Sequence, residues 1–246
     1  MLGIAKGIEK ETLKLPSQIV EEILGKISYA HLSGPGFARE IIRGKEAPEV
    51  IASKNRNSLK KLKELFQIKP LKIFTTTDLI GVQFAGALKN ALAIGISLVK
   101  AKSQNPKTEK LIQLGLKEMI KVGKVMGAKK ETLLGPAGLG DLILTSTNPL
   151  SRNFQFGQAL YSNAEKMRKE IKDYNPPTTS SHSSLRSERA PRKITVEGFD
   201  NVFALYKLGK IHKLDLPMIN EIYKVIYKKT SPEKTIKNLI ELTKIG

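Results

Sequence analysis

Lys89 is the only charged residue between Leu79 and Val99. An ammonium alone in an apolar stretch has three ordinary uses. It can snorkel to the surface, close a structural ion pair, or act as an acid/base with a shifted pKa. Asp141 is a second candidate. Gly135, Pro136, Gly138 and Gly140 crowd just ahead of it, and an apolar segment follows. That pattern suits a tight turn delivering a carboxylate to a helix start, where free N–H groups stabilise it; an N-cap and nothing more is the plainer reading. Ser151-Arg152-Asn153 follows Pro149 and sets a hydroxyl, a guanidinium and an amide side by side. Near a helix start such donors can converge on one anion, a phosphate above all.

The elements that must position these groups follow from periodicity. Val82, Ala85, Leu88, Leu92 and Gly95 recur at helical spacing, so Lys89 lies on a buried helix. The run is long enough for a membrane span, but Gln83, Lys89 and Asn90 near its middle would be expensive in lipid. Ahead of it, strands and helices alternate. Met1 to Ile4 reads as the end of a strand, Pro16 to Leu24 as a helix with Ile19, Val20 and Ile23 on one side, and Ser28 to Ser33 as a strand. Gly34 to Ala38 is a turn opening a helix through Ile42. Glu49 to Ser53 is a strand, Ser58 to Leu65 a helix and Lys72 to Thr76 a strand. This is half of an α/β sheet. No Gly-x-Gly-x-x-Gly follows any of the strands.

After Asp78 the pattern is all-helical. Thr108 can cap a helix with the stripe Ile112, Leu116, Met119 and Met126, ending at Gly127. Val196 to Gly198 opens a helix through Leu208. Pro217 to Tyr227 turns Ile219, Ile222, Tyr223 and Ile226 inward, and Ser231-Pro232-Glu233 starts a last helix packing Ile236, Leu239 and Ile240. Residues 174–193 are Ser-, Pro- and Arg-rich and nearly free of large apolar side chains. They are expected to form a disordered, dispensable insert.

The 246 residues suffice for one large or two small domains. Cysteine is absent, which excludes disulfides and thiolate metal sites; no metal is expected. The N-terminus does not read as a signal peptide, because its apolar run is short and Glu9 follows closely, so the cytoplasm is the default location. The formal charge is +19, from 42 basic and 23 acidic residues. The lysines are spread along the chain with no interleaved stacking aromatics, which describes a solvated surface better than a nucleic-acid footprint.

Five separated motifs carry a resemblance. They are Lys6-Gly-Ile-Glu9, Leu32-Ser-Gly-Pro-Gly-Phe-Ala38, Gly86-Ala-Leu-Lys-Asn90, Gly138-Leu-Gly-Asp-Leu142 with Ser151-Arg-Asn153, and Val196-Glu-Gly198. In this order they resemble the bacterial NAD(P)-dependent glycerol-3-phosphate dehydrogenase family, over nearly the whole chain except residues 174–193. The resemblance implies a Rossmann-type remnant over residues 1–78. It is followed over 79–246 by an all-α substrate domain of the 6-phosphogluconate-dehydrogenase-like kind. It further implies interconversion of dihydroxyacetone phosphate and sn-glycerol 3-phosphate with NADPH or NADH, feeding phospholipid synthesis.

By the same resemblance Lys89 is the general acid/base. Lys6, Gly34, Gly36, Lys89, Asp141, Ser151, Arg152 and Asn153 meet substrate, and Lys6, Ala38, Arg152, Thr195 and Glu197 touch the dinucleotide. Members of the family carry a further stretch ahead of the Lys6 motif, including the Gly-rich loop that seats the pyrophosphate. The expectation is therefore a fragment, a split enzyme completed by a separate N-terminal chain or a homodimer, or a decayed gene product. The rival readings are a non-catalytic helical phosphate-binding or interaction remnant and a basic nucleic-acid binder.

Overall fold

In a computed structural model, residues 1–102, 107–172 and 196–245 are described. The insert expected at 174–193 and the candidate cofactor contact Thr195 lie outside them.

A four-stranded sheet in the order β1-β2-β3-β4 occupies the first part: β1 (Leu2–Gly3), β2 (Ala30–Ser33), β3 (Ala47–Ser53) and β4 (Leu71–Thr76). The sheet is mixed. β1 runs parallel to β2 and β3 parallel to β4, but β2 and β3 are antiparallel, pairing His31 with Ala52 and Ser33 with Val50. The alternation of strands and helices does not encode that reversal; the connection across the short helix α2 (Ala38–Ile41) makes it. The helices α1 (Pro16–Leu24) and α3 (Arg56–Phe66) complete this part.

The α1 boundaries are those read from the sequence, and its apolar side is only partly covered, by the packing of half-buried Val20 against the cluster of Val50, Leu79 and Val82. The helix has no buried residue, and Ile23 is 72% exposed, beside Leu24 and, at the sheet edge, Met1 and Ile4. Ile23, read on the same side as Ile19 and Val20, is the exposed member of that stripe.

The helix α4 (Leu79–Lys102) is the axis of the rest. Every residue from Gly81 to Val99 is buried, Lys89 included. An 18-residue window of it is apolar enough to cross a membrane, but 94% of that window is inside the protein, as in a core helix. Around it pack α5 (Lys107–Val125), α6 (Lys130–Leu134), a single π turn (Pro136–Gly140), α7 (Asp141–Thr147), α8 (Arg152–Lys172), α9 (Glu197–Ile211), α10 (Pro217–Tyr227) and α11 (Pro232–Ile245).

Two close approaches depend on glycine. A side chain at Gly157 of α8 would run into Ser97 Oγ and the Ile94 carbonyl. One at Gly198 of α9 would lie 2.5 Å from the Asn90 carbonyl. The core joins Phe84, Leu88, Leu92 and Ile96 of α4 to Met119, Leu142, Leu160, Leu205, Ile222 and Leu239. The α5 stripe is rotated from the expected one: Leu111, Gly115, Glu118, Met119 and Val122 are buried, whereas Ile112, Leu116 and Met126 are only partly so. The helix begins at Lys107, so Thr108 is inside it rather than at its cap.

Candidate active site

Three ionised side chains from three distant parts of the sequence meet beside α4. Lys6, on the loop after β1, places Nζ 2.7 Å from Asp141 Oδ2 and 3.2 Å from the Gly34 carbonyl. Asp141 turns its other oxygen to Lys89, whose Nζ donates at 3.0 Å to Oδ1 and at 2.8 Å to Thr145 Oγ1. Thr145, one turn beyond Asp141 on α7, donates its own proton to Asp141 Oδ1 at 3.1 Å. The result is a chain Lys6–Asp141–Lys89 closed by a hydroxyl.

The side chains of Asp141 and Lys89 are 3% and 9% exposed, and that of Lys6 20%. This corrects the plainer reading of Asp141: no side-chain cap hydrogen bond forms at the start of α7, and the carboxylate serves the two lysines. Lys89 is neither a snorkelling lysine nor a simple ion pair. Burial lowers its pKa to about 8, against the pull of Asp141, with Lys6 pushing the same way as burial. An ammonium poised near neutral pH, held by an acceptor on either side, can give up and regain a proton.

A second network, of amides, fixes the Lys6 loop. Asn201 Nδ2 donates to the Lys6 carbonyl at 3.0 Å and to the Ala87 carbonyl at 3.2 Å, and its Oδ1 accepts from Ile8 N at 3.0 Å. Asn90 Nδ2 donates to Glu197 Oε2 at 2.9 Å, Asn153 Nδ2 donates to Asn90 Oδ1 at 2.8 Å, and Gly198 N donates to Asn153 Oδ1 at 3.0 Å. Catalytic-helix, loop and α9 backbone are thus tied together, with few buried polar atoms left over.

The expected substrate set is only partly brought together. Lys6, Gly34, Asp141 and Lys89 form one cluster. Gly36 is half-buried in the turn beyond Gly34. Ser151 is buried as the cap of α8, accepting from Phe154 N at 3.2 Å, and Asn153 is turned into the amide network. Of the tripeptide only Arg152 is exposed, so the three do not converge on one point. Ala38 is exposed at the start of α2, and Glu197 is half-buried against Asn90. Thr145 and Asn201 were not singled out in the sequence. A hydroxyl four residues after Asp141 on a helix shares its face and could have been found. Nothing local to Asn201 marks it, because its partners lie up to 195 positions away.

A small mixed sheet is followed by a helical bundle around α4, with a lysine–aspartate–lysine chain beside that helix. Residues 78–237 match the profile described as NAD-dependent glycerol-3-phosphate dehydrogenase C-terminus, and residues 1–59 match the corresponding N-terminus profile. Glycerol-3-phosphate dehydrogenase [NAD(P)+] of Solidesulfovibrio magneticus is 33% identical over 96% of this chain and 67% of its own length. The same enzyme of Francisella philomiragia is 32% identical over 98% of this chain and 67% of its own. The crystal structure of the Coxiella burnetii glycerol-3-phosphate dehydrogenase superposes with a TM-score of 0.83 at 28% identity, covering 98% of this chain and 68% of that one. The chain belongs to the NAD-dependent glycerol-3-phosphate dehydrogenase family, and it spans about two thirds of the length of these relatives.

Proposed function

We propose that the chain carries the substrate half of a reaction that reduces dihydroxyacetone phosphate to sn-glycerol 3-phosphate, and runs it in reverse. The observation that carries this reading is the Lys6–Asp141–Lys89 chain with Thr145. Lys89 gives its proton to the carbonyl oxygen, and its positive charge stabilises the developing alkoxide beside largely buried side chains. Asp141 and Thr145 hold the lysine in place, and in the reverse reaction the alcohol's proton returns to Lys89. Lys6 presents a second positive charge to the anionic substrate, and exposed Arg152 adds a third at the start of α8.

The hydride is what a nicotinamide cofactor supplies when bound. Exposed Ala38 and Arg152 and half-buried Glu197 are the described residues that the family resemblance assigns to it besides Lys6. No Gly-x-Gly-x-x-Gly in this sequence would seat its diphosphate. On this reading residues 1–78 form the cofactor side and 79–246 the substrate side.

Calorimetry with glycerol 3-phosphate tests the substrate site. Binding that is lost in Lys6→Met and in Arg152→Met supports the reading; equal heats in parent and variants contradict it. The exposed Ile23 and Leu24 of α1 favour one second reading, a phosphate-ester binding remnant without turnover. It predicts the same glycerol 3-phosphate binding, with no oxidation of NADPH even when an N-terminal dinucleotide-binding segment from a relative is fused ahead of Met1.

A further inference from the structure

Glu49 is a buried carboxylate that the chemistry above does not use. It sits in β3, 7% exposed, where the neighbouring inward position of the strand is the fully buried Ile51. An apolar residue is the ordinary occupant of such a place, since a buried carboxylate without partners is costly. Among the described residues no hydrogen bond or ion pair reaches its oxygens. They abut the turn Gly34–Pro35–Gly36. A side chain on Gly34 would lie 2.7 Å from Glu49 Oε2, and one on Gly36 would collide with Oε1. At Gly34 the Pro48 carbonyl stands closer still, so the β3 backbone also requires a glycine there, whereas at Gly36 the carboxylate is the nearest group. This same turn offers the Gly34 carbonyl to Lys6 Nζ, which also holds Asp141.

We propose that Glu49 is a positioning residue of the site: its carboxyl group braces the Gly34–Gly36 turn that holds Lys6 and, when ionised, removes one unit of positive charge from the cluster that receives an anionic substrate. Lys6, Lys89 and Asp141 sum to one positive charge. With Glu49 ionised as well, the four sum to zero.

The charged groups acting on Glu49 are those of the site. Burial raises its pKa to about 7; Lys6 and Lys89 oppose the rise and Asp141 adds to it. The other neighbours change little. His31 on β2 is neutral, its pKa lowered to about 4 by burial and by Lys6. From β4, Glu49 pairs with apolar Ile73, and the adjacent Lys72 lays its ammonium over the Phe74 ring. Beyond the turn, Glu40 is occupied by Lys45 at 2.8 Å. Glu197 acts on Lys89 from the α9 side. Near neutral pH the site thus passes from cationic, suited to a phosphate ester, toward neutral.

The inference rests on the anionic substrate proposed above, and its test separates the two. Carboxyl NMR on the full chain labelled with ¹³C-glutamate should show a signal titrating near 7 that disappears in Glu49→Gln. Its midpoint should rise in Lys6→Met, which removes the opposing charge. Glycerol 3-phosphate affinity should fall about tenfold more between pH 6.5 and 8.5 in the parent than in Glu49→Gln. A purely structural brace would leave that pH dependence alone. Gly36→Ala, which displaces the carboxylate without changing charge, should shift the same NMR signal and serves if Glu49→Gln does not fold. A Glu49 signal that titrates near 4.5, or that ignores Lys6→Met, overturns the inference, as does identical pH dependence in parent and Glu49→Gln. If the parent binds no glycerol 3-phosphate, the proposed function falls, and the carboxyl titration still decides the placement of Glu49.

Discussion

Asp141→Asn removes the negative charge from between two ammonium groups while keeping the side chain's shape. In the parent, Asp141 bonds Lys6 at 2.7 Å and Lys89 at 3.0 Å, and its own side chain is 3% exposed. Breaking a buried pair by removing one partner typically costs about 3–5 kcal/mol. Lys6 is 20% exposed and can turn toward water, so the lower end applies, about 3 kcal/mol. For a chain of this size that corresponds to a fall in Tm of about 6–12 °C. Lys89 is the uncompensated charge, since it is 9% exposed and keeps only neutral acceptors, Thr145 and the new amide oxygen. Adding Lys89→Met to Asp141→Asn should recover part of the loss, because it removes that charge. The two changes in one network should therefore be non-additive, by about 0.5–3 kcal/mol. Scanning calorimetry of parent, both singles and the double variant measures all of this. A Tm of Asp141→Asn within about 2 °C of the parent, or strictly additive costs, would refute the reasoning.

Further outcomes follow from the same geometry. Glu118 of α5 caps α10 by accepting from Met218 N at 2.6 Å and Ile219 N at 3.1 Å, so Glu118→Ala should cost about 1–2 kcal/mol in a denaturant titration. Burial raises Glu118, like Glu49, to about 7, above its unfolded value. Between about pH 4.5 and 7 the folded state binds more protons than the unfolded one, so stability should fall as pH rises through that window, less steeply in Glu118→Ala. Lys89 acts with the opposite sign: its folded pKa of about 8 lies below the unfolded 10.5, so stability should rise with pH between those values, and Lys89→Met should flatten that limb. Without a Gly-rich turn, the chain should bind NADPH very weakly; a micromolar Kd by calorimetry would contradict this.

How much was legible in the sequence depends on the range of the interaction. Lys89 stood out because its own helix is apolar for a turn and more on each side, and Asp141 because glycines and a proline precede it. The strands were legible within a few residues, since apolar alternation and short buried runs between turn residues are local signals. The contact of Lys6 with Asp141 spans 135 positions, and no periodicity carries it; only the family's motif order did. The antiparallel β2–β3 pairing, Asn201 and Glu49 were not legible, because each is defined by what the fold brings opposite. The Ser151–Arg152–Asn153 triplet read as three donors for one anion. On a helix start adjacent residues point apart, and two of the three serve the cap and the amide network instead.

The most direct test of the central claim is turnover with and without Lys89. The assay follows NADPH oxidation with dihydroxyacetone phosphate as acceptor, using the chain joined behind an added N-terminal dinucleotide-binding segment. The account predicts that Lys89→Met folds, still binds glycerol 3-phosphate, and loses about 10²–10⁴-fold in kcat. A folded Lys89→Met variant within a few-fold of the parent's rate would contradict it.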